Sequence, residues 1–531
     1  MLDLRRIEPL FGHLSTSGIG NAQKGLHVLS YLFILKGLEE RSFVRGSQAP
    51  TFDSQEAEAC HWSILKHMAQ ENGEQTLAHL RSNVSRWLRA LDPDSCLRDA
   101  DAAIFQLLPH VIYRLMDAID RLCEESLSVG SVFDAVIAYA GTLGAYSPRA
   151  GQILTPPHIA QLMADLLRPQ PGELIVDPSC GTGNLLAAAW QYMQAQNAYA
   201  SVRLSDGRAL IDPQEYRAIK GDLLGYDIDL FMIAPAYASL LLSGLARPGV
   251  READTLSNRF PQRSASEIWG NVDVVLCNPP YSGALDANDL NESLRWLGTR
   301  STELLFVELC RQLLREGGRA ALLLPEGVLR NTLKAAVALR KQLMTEAQVR
   351  AVISLPSGVF LPHSGVKTSI VLFTKGGPTA EVWFYCCSAD GYTLDAKRRQ
   401  TATTTDLFDL RMQYAARFGE TPPFLARGVS TEEVWEQYSL NGDGPATKYV
   451  APEVTVTAAH PFRGTPVAPF EQVTSFRVTE ATTERAFVVP AEQVASNAYS
   501  LCADTYRDHA DSPGQVFDRK VRGGARRGGR A

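Results

Sequence analysis

Apolar positions change their spacing as the chain proceeds, and the changes divide it. Residues 24–40 carry a dense apolar set from Leu26 to Leu38. Apolar residues recur at helical intervals through 105–108 and 112–122, with few strand-like runs between, so residues 1 to about 140 are expected to be helical. From residue 173 the pattern becomes short unbroken apolar runs, 173–177, 218–228 and 272–277, each closed by Asp, Gly or Pro. Such runs, separated by Ala- and Leu-rich helical stretches, predict an α/β unit with a mainly parallel sheet. Residues 400–485 are Thr-rich and polar, with two short helical candidates at 406–418 and 431–440. The last residues, 519–531, are Arg and Gly with little else and are expected to stay disordered, as a solubilising tail or a weak binder of nucleic-acid backbones.

The sharpest punctuation is Asn278-Pro279-Pro280-Tyr281 after the run Val272–Cys277. Proline restricts the residue before it, so Asn278 is expected to be held extended at the carboxyl end of a buried strand, where open α/β sheets place ligands. An aromatic amine such as adenine N6 is a poor nucleophile because its lone pair is delocalised into the ring. Two acceptors, the Asn278 amide oxygen and the Pro279 carbonyl, suit the task of taking its two hydrogens and localising that pair. Asn cannot ionise, so it polarises and is no general base. Tyr281 offers a ring on which a base can stack. A proline-stiffened strand end without chemistry is the plainer reading of these four residues taken alone.

Upstream, residues 173–185 read as a strand, a Gly-rich turn and the start of an Ala-rich helix. Gly181 and Gly183, with Thr182 and Asn184, allow a ligand to approach the backbone, yet the third glycine of a dinucleotide fingerprint and the Lys of a P-loop are missing. An acid at the strand end, Asp177, suits a ligand bearing an ammonium and a sulfonium, the charges of S-adenosylmethionine. Asp227 ends the next predicted strand and is the candidate for ribose hydroxyls, with Asp229 as a helix cap. Asp254 follows a third strand-like stretch and is placed for the cofactor's adenine amine, a solvated loop acid being the alternative.

Taken in that order, Asp177–Asn184 and Asn278–Tyr281 resemble the amino-group DNA methyltransferases. Three further segments, Glu316–Leu329, Leu355–Pro362 and Gly365–Ile370, are similar to the modification subunits of type I restriction-modification systems. The resemblance implies a Rossmann-like S-adenosylmethionine-dependent methyltransferase core, a helical N-terminal domain that clamps DNA and a mixed C-terminal extension. It divides the chain as 1–140, 141–400, 401–515 and a 516–531 tail. It also implies that Gly151, Gln152, Ile153, Leu154, Thr155 and Pro156 close over the methionine part of the cofactor, although members commonly carry an aromatic where this chain has Ile153-Leu154. The local alternative for Thr155-Pro156 is a plain helix start, with Thr155 capping and Ile159, Leu162, Met163, Leu166 and Leu167 as the buried face. Residues 487–501, followed by Tyr506-Arg507, are similar to the family's carboxyl-terminal signature near helices that dock on the specificity subunit.

Composition adds limits. A 531-residue chain with 45% hydrophobic residues can bury a large core over two or three domains. A net charge of −6 argues against a surface covered in DNA-binding groups, so sequence recognition is expected from another polypeptide. The implied partners are double-stranded DNA, a specificity subunit and a restriction subunit, with two copies of this chain in the complex. Nine scattered cysteines, an odd number, and the lack of a signal peptide or a bilayer-spanning run point to a reducing cytoplasm. None is spaced for a metal, and Cys180 and Cys277 read as buried spacers. Competing readings are an adenine methyltransferase of another phage-defence system, a protein-glutamine or RNA methyltransferase, and a non-catalytic DNA-binding scaffold.

Overall fold

The computed structural model describes residues 4–43, 58–92, 95–100, 107–125, 128–145, 153–202, 223–245, 247–260, 268–281, 288–419, 453–457, 472–477 and 485–506. Gly151, Gln152, the helical candidate at 431–440 and the tail lie outside them.

The apolar runs form a nine-stranded sheet: β1 (Ile175–Asp177), β2 (Leu223–Asp227), β3 (Gly249–Glu252), β4 (Val272–Cys277), β5 (Leu314–Pro325), β6 (Ala347–Ser354), β7 (Thr368–Lys375), β8 (Glu381–Cys386) and β9 (Ala486–Pro490). Their spatial order is β9-β8-β6-β7-β5-β4-β1-β2-β3. From β1 the chain steps outward to β2 and β3, all parallel, then returns to the other side of β1 as β4. This reversal opens a crevice at the carboxyl ends of β1 and β4. Strand β5 continues parallel to β4, and β7 then runs antiparallel between β5 and β6.

The helical half is built largely as the periodicity predicts, except at 105–108, where residues 105 and 106 lie outside the described residues and Leu107 and Leu108 precede the next helix. α1 (Ala22–Phe43) buries residues nearly all round, and α2 (Pro109–Glu124) buries Val111, Ile112, Leu115, Met116, Ile119 and Leu122 at helical spacing. α3 (Val129–Thr142) completes the layer. Beyond it follow α4 (Pro157–Leu167), α5 (Asn184–Val202), α6 (Leu230–Leu242), α7 (Thr302–Leu313), α8 (Lys334–Glu346) and α9 (Leu407–Phe418). α1 lies against α6 so closely that a Cβ on Gly37 would sit 2.4 Å from Leu242 Cδ2. One apolar cluster runs from Ile7 through α4 to Ala486, so the change of character near residue 140 is a change of element type and not a break in the core.

The segments most similar to the type I subunits have structural work to do. Arg319 on β5 donates to the Leu167 and Arg168 carbonyls at 2.6 and 2.8 Å and grips Glu173 with a fork, which satisfies the end of α4. Ser354 and Ser369 donate to Glu326 Oε1 at 2.5 and 3.1 Å, and Lys367 lies 3.3 Å from Oε2, so the first and third of these segments, with Ser354 just before the second, meet on one buried carboxylate. The 485–506 stretch, expected within an extension near partner-docking helices, closes the sheet. β9 pairs antiparallel with β8, and Phe487 stacks on Phe384 at 5.4 Å.

Candidate functional site

Strand β1 delivers Asp177, whose side chain is buried: Oδ1 accepts from the Ser179 amide at 3.0 Å, and Oδ2 has no partner among the described residues. The turn that follows is pinned to β2, with the Cys180 amide on the Tyr226 carbonyl and the Gly181 amide on Asp227 Oδ2, both 2.8 Å. Gly181 and Gly183 both have positive φ, 53° and 81°, which only glycine adopts freely. Their surroundings differ. A Cβ on Gly181 would meet open space, whereas one on Gly183 would lie 3.2 Å from the Ala236 carbonyl. Gly181 therefore borders open space in the crevice, and Gly183 lets the turn approach α6. Asp229 caps α6 through the Phe231 amide, as expected.

Strand β4 delivers Asn278. Its Nδ2 donates to the Ile153 carbonyl and to Thr155 Oγ1, both 3.0 Å, and the carbonyl partner fixes which end of the amide is nitrogen. Its Oδ1 is buried and has no partner among the described residues. An acceptor left so is costly unless something else donates to it. Ser179 Oγ donates to the Asn278 main-chain carbonyl at 3.2 Å, joining the two loops across the crevice. Thr155 thus does not cap α4. Pro156 occupies the cap position without a side-chain bond, and the Thr155 hydroxyl and carbonyl serve Asn278 and Asn184 instead.

Eleven of the expected residues line one cavity at this crevice. From the first segment come Ile153, Leu154 and Thr155; from the β1 turn Asp177, Gly181, Thr182 and Asn184; from the strand ends Asp227, Asp254, Asn278 and Pro280. Pro156, Gly183, Pro279 and Tyr281 stand outside its wall. Tyr281 departs from the expectation of a ring offered to a base: it is 5% exposed and its hydroxyl has no partner among the described residues. The Thr302 hydroxyl holds the Pro280 carbonyl at 2.9 Å, which ties the peptide before Tyr281 to α7.

The wall contains residues that the motifs did not mark. Thr302 and Phe306 come from one face of α7, four residues apart, with no motif to announce them. Ile228, 63% exposed between two acids, was detectable in principle, since a large apolar residue there has no core to join.

Charge in the cavity has one sign. Burial pushes the Asp177 carboxyl well above the usual carboxylate range against the opposing Ser179 amide, and Asp227 adds to the rise. Burial raises Asp227 to about 6 despite the Asp229 and Gly181 amides, and raises Asp254 as well. No Lys or Arg lines the cavity among the described residues. Three acids without a counter-cation suit a cationic ligand, which would relieve the unfavourable burial. The thiols of Cys180 and Cys277 are pushed up by burial and stay protonated, unsuited to attack.

A group able to hold a metal, Glu326, Cys502 and Asp504, lies apart from this cavity. Lys367 already sits within 3.3 Å of both its carboxylates. No described helix is long and apolar enough to cross a membrane.

Comparison with known proteins agrees with this architecture. The profile of the N-6 DNA methylase family matches residues 129–454. The type I restriction enzyme EcoEI methylase subunit of Escherichia coli is 30% identical over 280 residues, 52% of this chain and 53% of that protein. The EcoKI methylase subunit of Escherichia coli K12 is 29% identical over 290 residues, 54% of this chain and 52% of that one. The matched stretch thus spans about half the length of these curated relatives. Among solved structures, a chain from a type I restriction-modification complex aligns over 96% of this chain and 93% of its own, with TM-score 0.59 and 21% identity. The type I methyltransferase subunit of Streptococcus thermophilus aligns over 78% of this chain and 92% of its own, with TM-score 0.52 and 17% identity. At those identities the likeness is one of fold.

Proposed function

The chain belongs to the N-6 DNA methylase family, and on that premise we propose that it is an S-adenosylmethionine-dependent adenine-N6 DNA methyltransferase, the modification subunit of a type I restriction-modification system. The observation that carries this reading is Asn278: its nitrogen is fully engaged, its oxygen is buried without a partner among the described residues, and it shares a cavity with three acids that no described Lys or Arg faces.

S-adenosylmethionine, when bound, supplies an electrophilic methyl group on a sulfonium. Asp177, with its unpartnered oxygen, is the group to hold the cofactor's cationic amino-acid end. Asp227 would take the ribose hydroxyls, and Asp254 the adenine amine, with the apolar walls Ile228, Leu256 and Phe306 against the ring. The Ile153–Thr155 segment closes over the methionine part. A flipped target adenine gives one amine hydrogen to Asn278 Oδ1 and the other to the Pro279 carbonyl, which localises the N6 lone pair for in-line attack. The surplus proton leaves N6 after alkylation has made it acidic. Stacking on Tyr281 requires that DNA binding uncover its ring.

Recognition of the DNA sequence is assigned to a specificity subunit, in keeping with the net charge of −6. Copurification of such a subunit separates this arrangement from an adenine methyltransferase working alone. The test of the chemistry is Asn278→Ala. Transfer of labelled methyl to DNA should fall by about 10²–10³-fold, the loss typical of one transition-state hydrogen bond, while cofactor affinity is retained. Unchanged methylation overturns the reading, and transfer to protein or RNA in place of DNA redirects it.

A further inference from the structure

Helix α4 leads straight out of the segment that holds Asn278, and three polar anchors fix it. Arg319 holds its carboxyl end. Asp165, buried near that end, pairs with Arg411 of α9 at 2.7 Å. At its amino end His158 Nε2 lies 2.9 Å from Oδ2 of Asp390, whose side chain is fully buried. Arg398 pairs with the same carboxylate, and the Tyr392 ring stacks on the imidazole with centroids 4.5 Å apart. Asp390 and Tyr392 belong to a small antiparallel pair, Asp390–Tyr392 with Gln400–Thr405, that leads into α9. His158 and Asp165 are seven residues apart, two turns along one face of α4, so the single stretch 388–418 lies along that face.

We propose that this stretch is a strap whose His158–Asp390 contact positions the Ile153–Thr155 segment, and through it Asn278, for cofactor binding and methyl transfer. The proposal rests on the methyltransferase reading above. His158 and Asp390 act as positioning residues, since neither lines the cavity.

The division of labour along α4 supports this role. Its apolar face, Ile159, Leu162, Met163 and Leu166, keeps the body of the helix in the core, and Arg319 and Arg411 hold its far half. The first turn lacks a capping side chain, because Thr155 is committed to Asn278. The polar anchor of that turn is His158. The Ile153 carbonyl and the Thr155 hydroxyl are the two acceptors that aim the Asn278 amide, so a shift of the first turn re-aims Oδ1. Burial opposes ionisation of Asp390, but His158 and Arg398 outweigh it and hold its carboxyl below the usual range. A buried charge of this kind seldom repays its desolvation in stability alone, whereas it fixes geometry well.

Full-length wild-type chain, Asp390→Ala and Asp390→Asn are compared by calorimetric titration with S-adenosylmethionine and by hydrogen exchange. Asp390→Ala should weaken binding by about tenfold, with faster exchange at residues 153–160 and in the 390–400 turn that the carboxylate also holds, and not in the sheet. Asp390→Asn keeps an acceptor for His158 and should lie between the two. If Asp390→Ala does not fold, His158→Ala carries the same expectation from the other side of the contact. Equal affinity in wild type and variants overturns the strap alone. So does faster exchange throughout the sheet with affinity unchanged, the mark of a purely structural pair. A wild-type chain that binds no S-adenosylmethionine overturns the methyltransferase reading itself.

Discussion

Asn278 and Asp227 are single side chains whose surroundings fix their orientation and protonation. The Asn278 amide is oriented by its nitrogen, so loss of one nitrogen acceptor should loosen the oxygen. Thr155→Val, nearly isosteric, removes one acceptor and leaves the Ile153 carbonyl. Methyl transfer is expected to drop by about tenfold, the worth of roughly one net hydrogen bond, in single-turnover assays with saturating cofactor. Asp227 gives a pH signature. Its folded pKa, about 6, is raised above that of the unfolded chain, so its contribution to stability is fully present below the unfolded value and is lost as pH rises through about 6. The unliganded protein should therefore lose stability between about pH 4 and 6 from this group. In the proposed role of Asp227 as acceptor for the cofactor's ribose, affinity should fall as pH drops below about 6, and Asp227→Asn should flatten that profile in titrations across the range.

Between residues and the molecule, the β1 turn shows what an element demands of its sequence. Gly181 and Gly183 carry the same φ sign but meet different neighbours, so one substitution gives two outcomes. Gly183→Ala adds backbone strain to a 3.2 Å approach on α6 and should cost about 1–3 kcal/mol in urea unfolding. Gly181→Ala meets no neighbour, so its stability loss should be smaller, about 1 kcal/mol, while the new methyl enters the cavity and weakens cofactor binding. The same turn explains the legibility of this region. A strand ending in an acid, two glycines and a helix start are local requirements, readable from residues 173–185 alone. The face of α7 was not readable, because Thr302 and Phe306 reach the cavity only after β4 and α7 have packed.

For the whole molecule, the sheet is completed by residues far from its centre. Phe487→Ala removes the ring stacked on Phe384 at the β9 edge and should destabilise the protein by about 3–5 kcal/mol, seen as a lowered urea midpoint. Residues 485–506, which resemble a signature expected near partner-docking helices, belong to the core. The helical and α/β parts, distinct in periodicity, share one apolar cluster because α1 is packed onto α6 through Gly37. By itself the sequence determined the element types, the acids at the strand ends, the glycine turn and the proline-locked Asn278, since each depends on neighbours along the chain. Tertiary structure alone decided that β4 lies beside β1, that Thr155 serves Asn278 instead of capping, that Tyr281 is covered, and that Asp390 meets His158 from 232 residues away. Strand order and long-range pairing depend on how layers pack, and local pattern carries no record of that.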